Sequence, residues 1–530
     1  MNNMLPTDYQ NFIATSRYAR WLDDEGRRET WSETVSRYVD YMHDKVKFSK
    51  KDKHDIEQAI LGLEVMPSMR ALMTAGLALE RDNTAGYNCS YLPVDDPKSF
   101  DEAMYILLCG TGVGFSVERQ YIDKLPEIPE KLSKSDTTIV IKDSKEGWAK
   151  GLRQLVALLY AGEIPTYNVS KVRPAGARLK VFGGRASGPA PLVDLFKFTI
   201  NLFTNNAGKK LTSYDCHSLM CKIGEVVVVG GVRRSAMISL SNLSDIRMRQ
   251  AKSGQWWDTA PHMALSNNSV SYTDKPNAET FMREWTSLIE SKSGERGIFN
   301  RVAAKKQAGK NERRDTEHEF GCNPCSEIIL RPYQFCNLTE VVIRSTDTNK
   351  DLARKIRLAT ILGTAQATLT KFPYLRKIWA DNTEEERLLG VSLTGIMDNV
   401  LTNGRDEYLC DRLRMLRQVA VDTNKEYAKK WNIPQSTAIT CVKPSGTVSQ
   451  LCDSASGIHA RHSEYYIRTV RGDNKDPLTK FMIDQGIPNE PDVMKPDATT
   501  VFSFPMASPE GSTTRNDMSA IDQLTMWLMY

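Results

Sequence analysis

The run GEVVVVGGVRRSAMISLS at residues 224–241 limits the possible folds more than any other segment of this chain. Four consecutive valines favour a strand that is buried on both faces, and such strands occur in parallel sheets covered by helices. A Gly-Gly-Val-Arg-Arg corner interrupts the run. We therefore predict a buried strand here and, with it, a fold of the α/β class.

Helical patterns surround this predicted strand. Residues 30–33 form a capping box, and apolar residues then repeat at helical spacing. Residues 99–102 form a second capping box, and residues 351–372 and 406–431 have the pattern of long helices. Helices and strands alternate with turns rather than linkers between them, so we predict one large α/β domain.

Composition excludes several classes of protein. With 530 residues, of which 41% are hydrophobic and 25% charged, the chain can bury a large core. The start has no basic segment followed by an apolar one, and no apolar run approaches the roughly 20 residues of a membrane helix, so we predict a cytoplasmic protein without membrane contact. The formal charge of +5 does not indicate nucleic-acid binding and leaves a small phosphorylated molecule as the expected partner.

Three of the ten cysteines lie in the segment GCNPCSEIILRPYQFCNLTE at residues 321–340. Cys322 and Cys325 have the spacing of half a zinc site, with His318 and Cys336 close by in sequence, but the usual second pair of ligands is absent. The same spacing occurs in thioredoxin-type motifs, which belong to a much smaller fold. A structural zinc site and a thioredoxin-type motif therefore remain alternatives.

A third interpretation uses the neighbours of the thiols. Asn323, Cys325 and Glu327 alternate, so in an extended segment their side chains share one face and can converge on one substrate. A cysteine between an amide and a carboxylate can act as a nucleophile or as a hydrogen-atom abstractor. Cys336 follows after a short loop, and two thiols that approach each other supply two electrons by forming a disulfide.

These residues resemble the active site of the ribonucleotide reductases. NPCSE followed by RPYQFCNLTEV resembles the finger loop of that family, and the spacing of eleven from Cys325 to Cys336 resembles the adenosylcobalamin-dependent class II enzymes. The resemblance covers nearly the whole chain and implies a ten-stranded α/β barrel with a central finger loop and a helical N-terminal region. Further segments are similar to the monomeric, triphosphate-reducing branch and occur in the same order: SRYARWLDDEGRRETWSETVSRYVDYM, MPSMRALMTAG, AGYNCSYLPV, GTGVGF, DSKEGWA, FGGRASGP, GGVRRSAMISL, NNSV and KPSGTVSQLCDSASGIHARHSEYYIRTVR.

The resemblance implies a catalytic role for each of five residues. Cys325 matches the cysteine that becomes a thiyl radical and takes the 3′ hydrogen of the ribose, with adenosylcobalamin as the source of the radical. Glu327 matches the base for the 3′ hydroxyl, and Asn323 matches the amide that orients the sugar hydroxyls. Cys89 and Cys336 match the pair that delivers the electrons and ends as a disulfide.

Substrate and effector positions also follow from the resemblance. The segment at residues 444–448 matches the substrate-phosphate loop, and the segments FGGRASGP and GGVRRSA resemble the places that read a deoxyribonucleotide effector. No metal ligand is predicted, because Met220 breaks the DxHxxG cobalt-ligand motif that begins at Asp215. The implied substrate contacts are Ser68, Asn88, Gly112, Pro444, Ser445, Gly446, Thr447 and Val448, and the implied effector contacts are Asp96, Gly184, Arg185 and Arg233.

The domain organisation is predicted on the same basis. We expect a helical region at residues 1–80, the barrel at residues 81–530, and an effector-binding region within residues 95–245. Chains of the family continue beyond DQLTMWLMY and carry a terminal cysteine pair that re-reduces the disulfide. We therefore expect a barrel that is incomplete at its C-terminal end, and a second polypeptide remains a possible partner.

The resemblance implies reduction of ribonucleoside triphosphates to deoxyribonucleoside triphosphates, with a thioredoxin or a similar dithiol as reductant. The alternatives are the same chemistry on diphosphates, either in a class II enzyme or in a class I large subunit, and an inactive nucleotide-binding fragment. Convergence of the sulfurs of Cys89, Cys325 and Cys336 on one cavity is the observation that separates the reductase from the other interpretations.

Overall fold

The computed structural model describes residues 5–177, 186–229 and 237–530, and its helices and strands form the mixed α/β structure that the sequence predicts. The α-helices are α1 Asp8–Ile13, α2 Trp31–Val46, α3 Lys50–Leu61, α4 Met69–Thr74, α5 Leu77–Arg81, α6 Lys98–Leu108, α7 Arg119–Ile122, α8 Lys145–Tyr160, α9 Ala190–Asn205, α10 Ser213–Val229, α11 Ile246–Gln250, α12 Trp256–Thr259, α13 Ala278–Ser291, α14 Arg301–Gly309, α15 Asn349–Gln366, α16 Ile378–Glu386, α17 Leu409–Lys430, α18 Thr447–Cys452, α19 Pro477–Asp484 and α20 Ala520–Met529. The strands are β1 Trp21–Leu22, β2 Arg27–Arg28, β3 Val65–Met66, β4 Cys89–Pro93, β5 Gly112–Ser116, β6 Ser133–Val140, β7 Glu163–Asn168, β8 Met237–Asn242, β9 Ser266–Tyr272, β10 Gly297–Asn300, β11 Gly321–Cys322, β12 Ile329–Leu330, β13 Gln334–Cys336, β14 Leu338–Val342, β15 Gly390–Thr394, β16 Tyr465–Asp473, β17 Asn489–Pro491 and β18 Thr499–Ala507.

The chain divides into two compact units, where the sequence favoured one large domain. The first unit comprises residues 1–77, 338–368 and 389–530, and the second comprises residues 78–337 and 369–388. Each unit is discontinuous in sequence, because the chain leaves the first unit and returns to it twice. Turn and linker composition does not mark such boundaries, since the division depends on which distant segments pack together.

A six-stranded sheet forms the centre of the second unit, in the order β10-β9-β8-β5-β4-β13. Five of its strands are parallel, and β13 joins the edge antiparallel to β4. Helix α6 connects β4 to β5 and is buried along its length from Ser99 to Leu108. The sheet therefore carries the buried, helix-covered character that the α/β prediction requires.

The first unit contains a three-stranded sheet in the order β15-β14-β3 and a second one in the order β16-β18-β17. All five residues of β14 are buried. Helix α15 packs against β14 and against α17, and its buried residues run without a break from Leu358 to Gln366. This unit therefore has a core of its own.

The prediction of a strand in the valine run is wrong. Residues 226–229 form the last turn of α10, whereas β8 begins only at Met237. Val226 and Val227 are buried while Val228 is partly exposed, as expected on one face of a helix. β-Branched residues disfavour a helix by only a few tenths of a kcal/mol each, about 0.7 at most, so packing of this face in the core outweighs them.

One of the two predicted capping boxes is present. Thr30 Oγ1 accepts a hydrogen bond from the Glu33 N–H, and the Thr30 N–H donates to the Glu33 carboxylate at 2.7 Å, as predicted for α2. Ser99 lies inside α6 instead of capping it. The Asp96 carboxylate accepts from the Lys98 N–H at 2.8 Å, so this helix begins one residue before the predicted box.

The strands formed by residues 5–177, 186–229 and 237–530 together give no closed sheet. The ten-stranded barrel therefore stays a prediction. Over the same ranges, no helix combines the length and the apolar character that crossing a bilayer requires.

Candidate active site

The segment around Cys325 is a β-hairpin in the second unit. β11 pairs antiparallel with β12, with Cys322 opposite Ile329, and a tight turn joins the strands. In this turn the Ser326 N–H donates to the Asn323 carbonyl at 2.9 Å, and Ser326 has a φ of 64°. Proline in the second position of a turn is favoured, and it leaves Cys325 exposed in the third.

The predicted extended conformation of this segment is therefore wrong. Asn323 and Glu327 meet through the turn, since the Asn323 Nδ2 donates to the Glu327 carboxylate at 2.6 Å. The Asn323 Oδ1 accepts from the Ile328 N–H at 3.0 Å, and the side chain is fully buried. An amide held at both ends has one fixed orientation, so Asn323 fixes the carboxylate of Glu327, two residues along the chain from the exposed Cys325.

Two glycines allow the hairpin to lie directly on the central sheet. A Cβ on Gly114 of β5 would stand 1.9 Å from the carbonyl oxygen of Cys322, and a Cβ on Gly321 would stand 2.1 Å from the ring of Tyr91 on β4. Only residues without a Cβ permit this approach. Gly114 belongs to the segment GTGVGF, from which this contact was not predicted.

A buried ion pair fixes the residue that precedes the hairpin. Arg301 donates to both carboxylate oxygens of Glu118, at 2.9 and 2.6 Å, and to the carbonyl of Phe320 at 2.8 Å. Both charged side chains are almost fully buried. No sequence pattern indicated this pair, because its members come from segments that only the fold brings together.

Cys89 and Cys336 lie directly opposite each other on the antiparallel strands β4 and β13. Facing residues on such strands have Cα atoms about 4.5 to 5.5 Å apart, within the range of about 4.4 to 6.8 Å that a disulfide spans. Both residues are free thiols, Cys336 buried and Cys89 half-buried. Burial, together with the neighbouring Cys89 and Glu327, raises the pKa of the Cys336 thiol well above its usual range.

Cys322 belongs to the interior rather than to the tip of the hairpin. Its side chain is fully buried, and its sulfur lies 3.6 Å from the Ser326 hydroxyl. Burial raises the pKa of this thiol to about 12, so it is protonated at neutral pH. Among residues 5–177, 186–229 and 237–530 there is no group of three His, Cys, Asp or Glu side chains arranged to hold a metal ion.

Two of the predicted substrate residues adjoin the thiol pair. Gly112 of β5 is the register partner of Cys89, on the side away from Cys336. The Gly112 N–H donates to the carbonyl of Asn88 at 2.8 Å. The structure therefore brings together in the second unit seven predicted site residues, namely Asn88, Cys89, Gly112, Asn323, Cys325, Glu327 and Cys336.

The other predicted substrate residues belong to the first unit. The segment 444–448 leads into α18, with Gly446 at the N-cap position, and a Cβ on Gly446 would meet no atom within 4 Å. The Ser445 hydroxyl donates to the carboxylate of Glu340 at 2.5 Å and accepts from the Ser449 N–H at 3.1 Å. Ser68 caps α4, where its hydroxyl accepts from the Ala71 N–H at 3.4 Å.

The predicted effector residues divide into two groups. Asp96 pairs with Arg376 at 3.3 Å in the second unit. Gly184, Arg185 and Arg233 lie outside the described residues.

Comparisons with known proteins find similarity to ribonucleotide reductases. Residues 123–203 match the family described as "B12-dependent ribonucleotide reductase, insertion domain", and residues 2–76 match "Ribonucleotide reductase alpha domain". The chain is thus similar in sequence to adenosylcobalamin-dependent ribonucleotide reductases. A protein of Lactobacillus gasseri, named adenosylcobalamin-dependent ribonucleoside-triphosphate reductase, is 29% identical over 92% of this chain and 78% of its own length.

Two further matches extend the comparison. A protein of Euglena gracilis with the same name is 28% identical over 96% of this chain and 72% of its own length. A crystal structure of a B12-dependent class II ribonucleotide reductase matches with a TM-score of 0.84 and 24% identity, covering 98% of this chain and 84% of that one. At this identity the structural match supports the fold.

Proposed function

We propose that the chain reduces ribonucleoside triphosphates to 2′-deoxyribonucleoside triphosphates by thiyl-radical chemistry that adenosylcobalamin initiates. The observation that carries the proposal is the exposed thiol of Cys325 beside the Asn323 and Glu327 pair, in the same unit as the facing thiols of Cys89 and Cys336. A hydrogen-atom acceptor, a base and a dithiol are the three groups that this reduction requires. The names of the relatives support the nature of the substrate and of the cofactor.

The exposed thiol of Cys325 has the chemistry that this cofactor acts on. Adenosylcobalamin, when bound, would supply the radical chemistry by which a thiol loses its hydrogen atom. Cys325 is the protein group that must meet it, and the hairpin turn is the element that presents this residue.

Each residue of the turn has a separate role in the reaction of the ribose. Cys325, having lost its hydrogen atom, takes the 3′ hydrogen of the sugar and later returns it. Glu327 accepts the proton of the 3′ hydroxyl, and Asn323 holds that carboxylate in place through its 2.6 Å hydrogen bond.

The facing thiols supply the proton and the electrons. The 2′ hydroxyl leaves as water after it receives a proton, and a buried thiol with a raised pKa retains that proton until it is needed. Cys89 and Cys336 give up two electrons and two protons as they form a disulfide. The balance is one ribonucleotide and one dithiol converted to one deoxyribonucleotide, one disulfide and one water.

The remaining assignments belong to the same proposal. The segment 444–448 binds the substrate phosphates, and Ser68, Asn88 and Gly112 are further substrate contacts. The segments near Asp96, Gly184, Arg185 and Arg233 bind a deoxyribonucleotide effector within residues 95–245. We further propose the ten-stranded barrel over residues 81–530 after a helical region at residues 1–80, a thioredoxin-type reductant, and a second polypeptide as a possible partner.

The proposal is tested by incubating the full chain with adenosylcobalamin, dithiothreitol and CTP, and by measuring dCTP. We expect product only when the cofactor is present. Cys325→Ser abolishes turnover, because a hydroxyl does not exchange its hydrogen atom as a thiol does. The matched control is Cys410→Ser, which removes another exposed thiol, on α17, and leaves the rate unchanged.

Two further measurements complete the test. A single turnover without added dithiol leaves a disulfide between Cys89 and Cys336, which peptide mass spectrometry identifies. Product formed without cobalamin, or by the Cys325→Ser variant, contradicts the proposal. Turnover of CDP but not of CTP retains the chemistry and replaces the triphosphate substrate with a diphosphate.

A further inference from the structure

We infer that Glu340 is a positioning residue that fixes the segment 443–446 and cancels the charge of Lys443, so that this segment recognises phosphate by hydrogen bonds rather than by net charge. The inference rests on the proposed function, in which this segment binds the substrate phosphates. Glu340 was not among the residues that the sequence indicated.

Glu340 lies in the middle of β14, in the core of the first unit. Its register partners are Met66 on β3 and Ser392 on β15, and only 3% of its surface is exposed. One carboxylate oxygen accepts from the ammonium of Lys443, and the other accepts from the Ser445 hydroxyl at 2.5 Å. A buried carboxylate without such partners is unfavourable, so the fold commits both oxygens to this segment.

Two residues that are paired on the parallel strands β14 and β15 both bind Lys443. Ser392, the partner of Glu340 in the sheet, accepts the Lys443 N–H at 2.9 Å, while Glu340 binds the ammonium of that residue. The paired residues Glu340 and Ser392 thus fix both the main chain and the side chain of Lys443. Gly457 completes the support, since a Cβ there would stand 2.5 Å from the Lys443 carbonyl oxygen.

This arrangement determines which groups remain available to a ligand. The ion pair of Lys443 with Glu340 carries no net charge, and the Ser445 hydroxyl donates inward to the carboxylate. The backbone at Gly446 borders open space, where a ligand atom can approach the chain closely. The groups that face a phosphate are therefore backbone N–H groups, whose fixed directions select for geometry.

A plain structural role for Glu340 predicts a different outcome. If the carboxylate only braced the fold, its loss would reduce stability without altering the ionic-strength dependence of nucleotide binding. If it cancels the charge of Lys443, its loss leaves a cation beside the phosphates, and salt then screens an attraction that was absent before. The salt dependence of KM thus distinguishes the two roles.

The experiment compares Glu340→Gln, Lys443→Met, the double variant and Glu340→Ala in the full chain. For each, kcat and KM for CTP are measured between about 0.05 and 0.5 M salt, spanning screening lengths from above 10 Å to below 5 Å. We expect Glu340→Ala to raise KM about tenfold, with kcat within threefold of the parent. We expect a steeper salt dependence of KM in Glu340→Gln, and the parent dependence in the double variant.

The matched control is Glu64→Gln, which removes a negative charge from the same unit. Glu64 pairs with Arg354 at 2.6 Å on the surface, so this change leaves the salt dependence of KM unaltered. If Glu340→Ala does not fold, Glu340→Gln and the double variant, which keep the side-chain volume, still decide the question.

Failure of this inference is distinguishable from failure of the proposed function. If the parent chain forms no dCTP, the reductase proposal fails, and the dissociation constant of CTP from equilibrium dialysis replaces KM in the comparison. If the parent forms dCTP and Glu340→Gln has the KM and the salt dependence of the parent, the role of Glu340 is refuted. An unchanged KM with a lowered kcat refutes it as well.

Discussion

Gly114→Ala tests whether the hairpin that carries Cys325 must lie directly on the central sheet. The added Cβ would stand 1.9 Å from the carbonyl oxygen of Cys322, and Cβ contacts below 3.0 Å essentially do not occur. The neighbour is backbone, so the strand rather than a flexible side chain must move, by about 1 Å. Cys322 is three residues from Cys325, and the displacement therefore reaches the thiol.

The expected effect on the rate follows from this displacement. A misplacement of about 1 Å in a reacting group can lower a rate about 100-fold, equivalent to about 2.7 kcal/mol in the activation free energy. Overpacking also reduces the free energy of unfolding by about 1–3 kcal/mol. We expect kcat for dCTP formation to fall about 100-fold in a protein that still folds, as measured by product formation and by thermal unfolding.

The control separates local displacement from general destabilisation. Gly151 lies in α8, outside the candidate active site. Gly151→Ala places a Cβ 2.4 Å from the side chain of Ile141. We expect this variant to lose stability and to keep its kcat. A Gly114→Ala variant with kcat within threefold of the parent, or an equal loss in Gly151→Ala, would refute the reasoning.

Two further predictions concern stability. Burial raises the pKa of the Cys322 thiol to about 12, so the folded state retains a proton that the unfolded state loses above about pH 8.5. Between these two pH values, this thiol lowers the free energy of unfolding by about 1.4 kcal/mol for each pH unit. Urea unfolding from pH 8 to 10 should show a shallower decline in Cys322→Ala, and an unchanged slope would contradict this assignment. Glu118→Gln leaves the buried Arg301 with only the half-exposed carboxylate of Glu319, at 3.3 Å, and should lower the free energy of unfolding by about 3 kcal/mol. The exposed pair of Glu279 with Arg283 is the control, since Glu279→Gln should cost less than about 1 kcal/mol, and equal losses in the two variants would contradict the role of burial.

Local sequence patterns predicted some elements correctly because short-range interactions determine them. The capping box of Thr30 and Glu33 forms as predicted, since both hydrogen bonds lie within four residues. The Asn-Pro pair at residues 323–324 was also a sufficient signal for a turn, and the prediction of an extended segment overlooked it. The turn brings Asn323 and Glu327 together more closely than alternation along a strand does.

The sequence by itself determined the chemical groups of this protein, in that Asn323, Cys325, Glu327 and a second thiol in one short segment limit the reactions that the segment can perform. The resemblance to a known family paired Cys89 with Cys336, but only the tertiary structure decided how they meet, directly opposite each other on two antiparallel strands. The physical reason is that strand pairing between distant segments depends on burial and register, which no local pattern contains. The same holds for the valine run, where packing of a helix face outweighed a β-forming composition, and for Glu340, whose partners on another segment exist only in the folded chain.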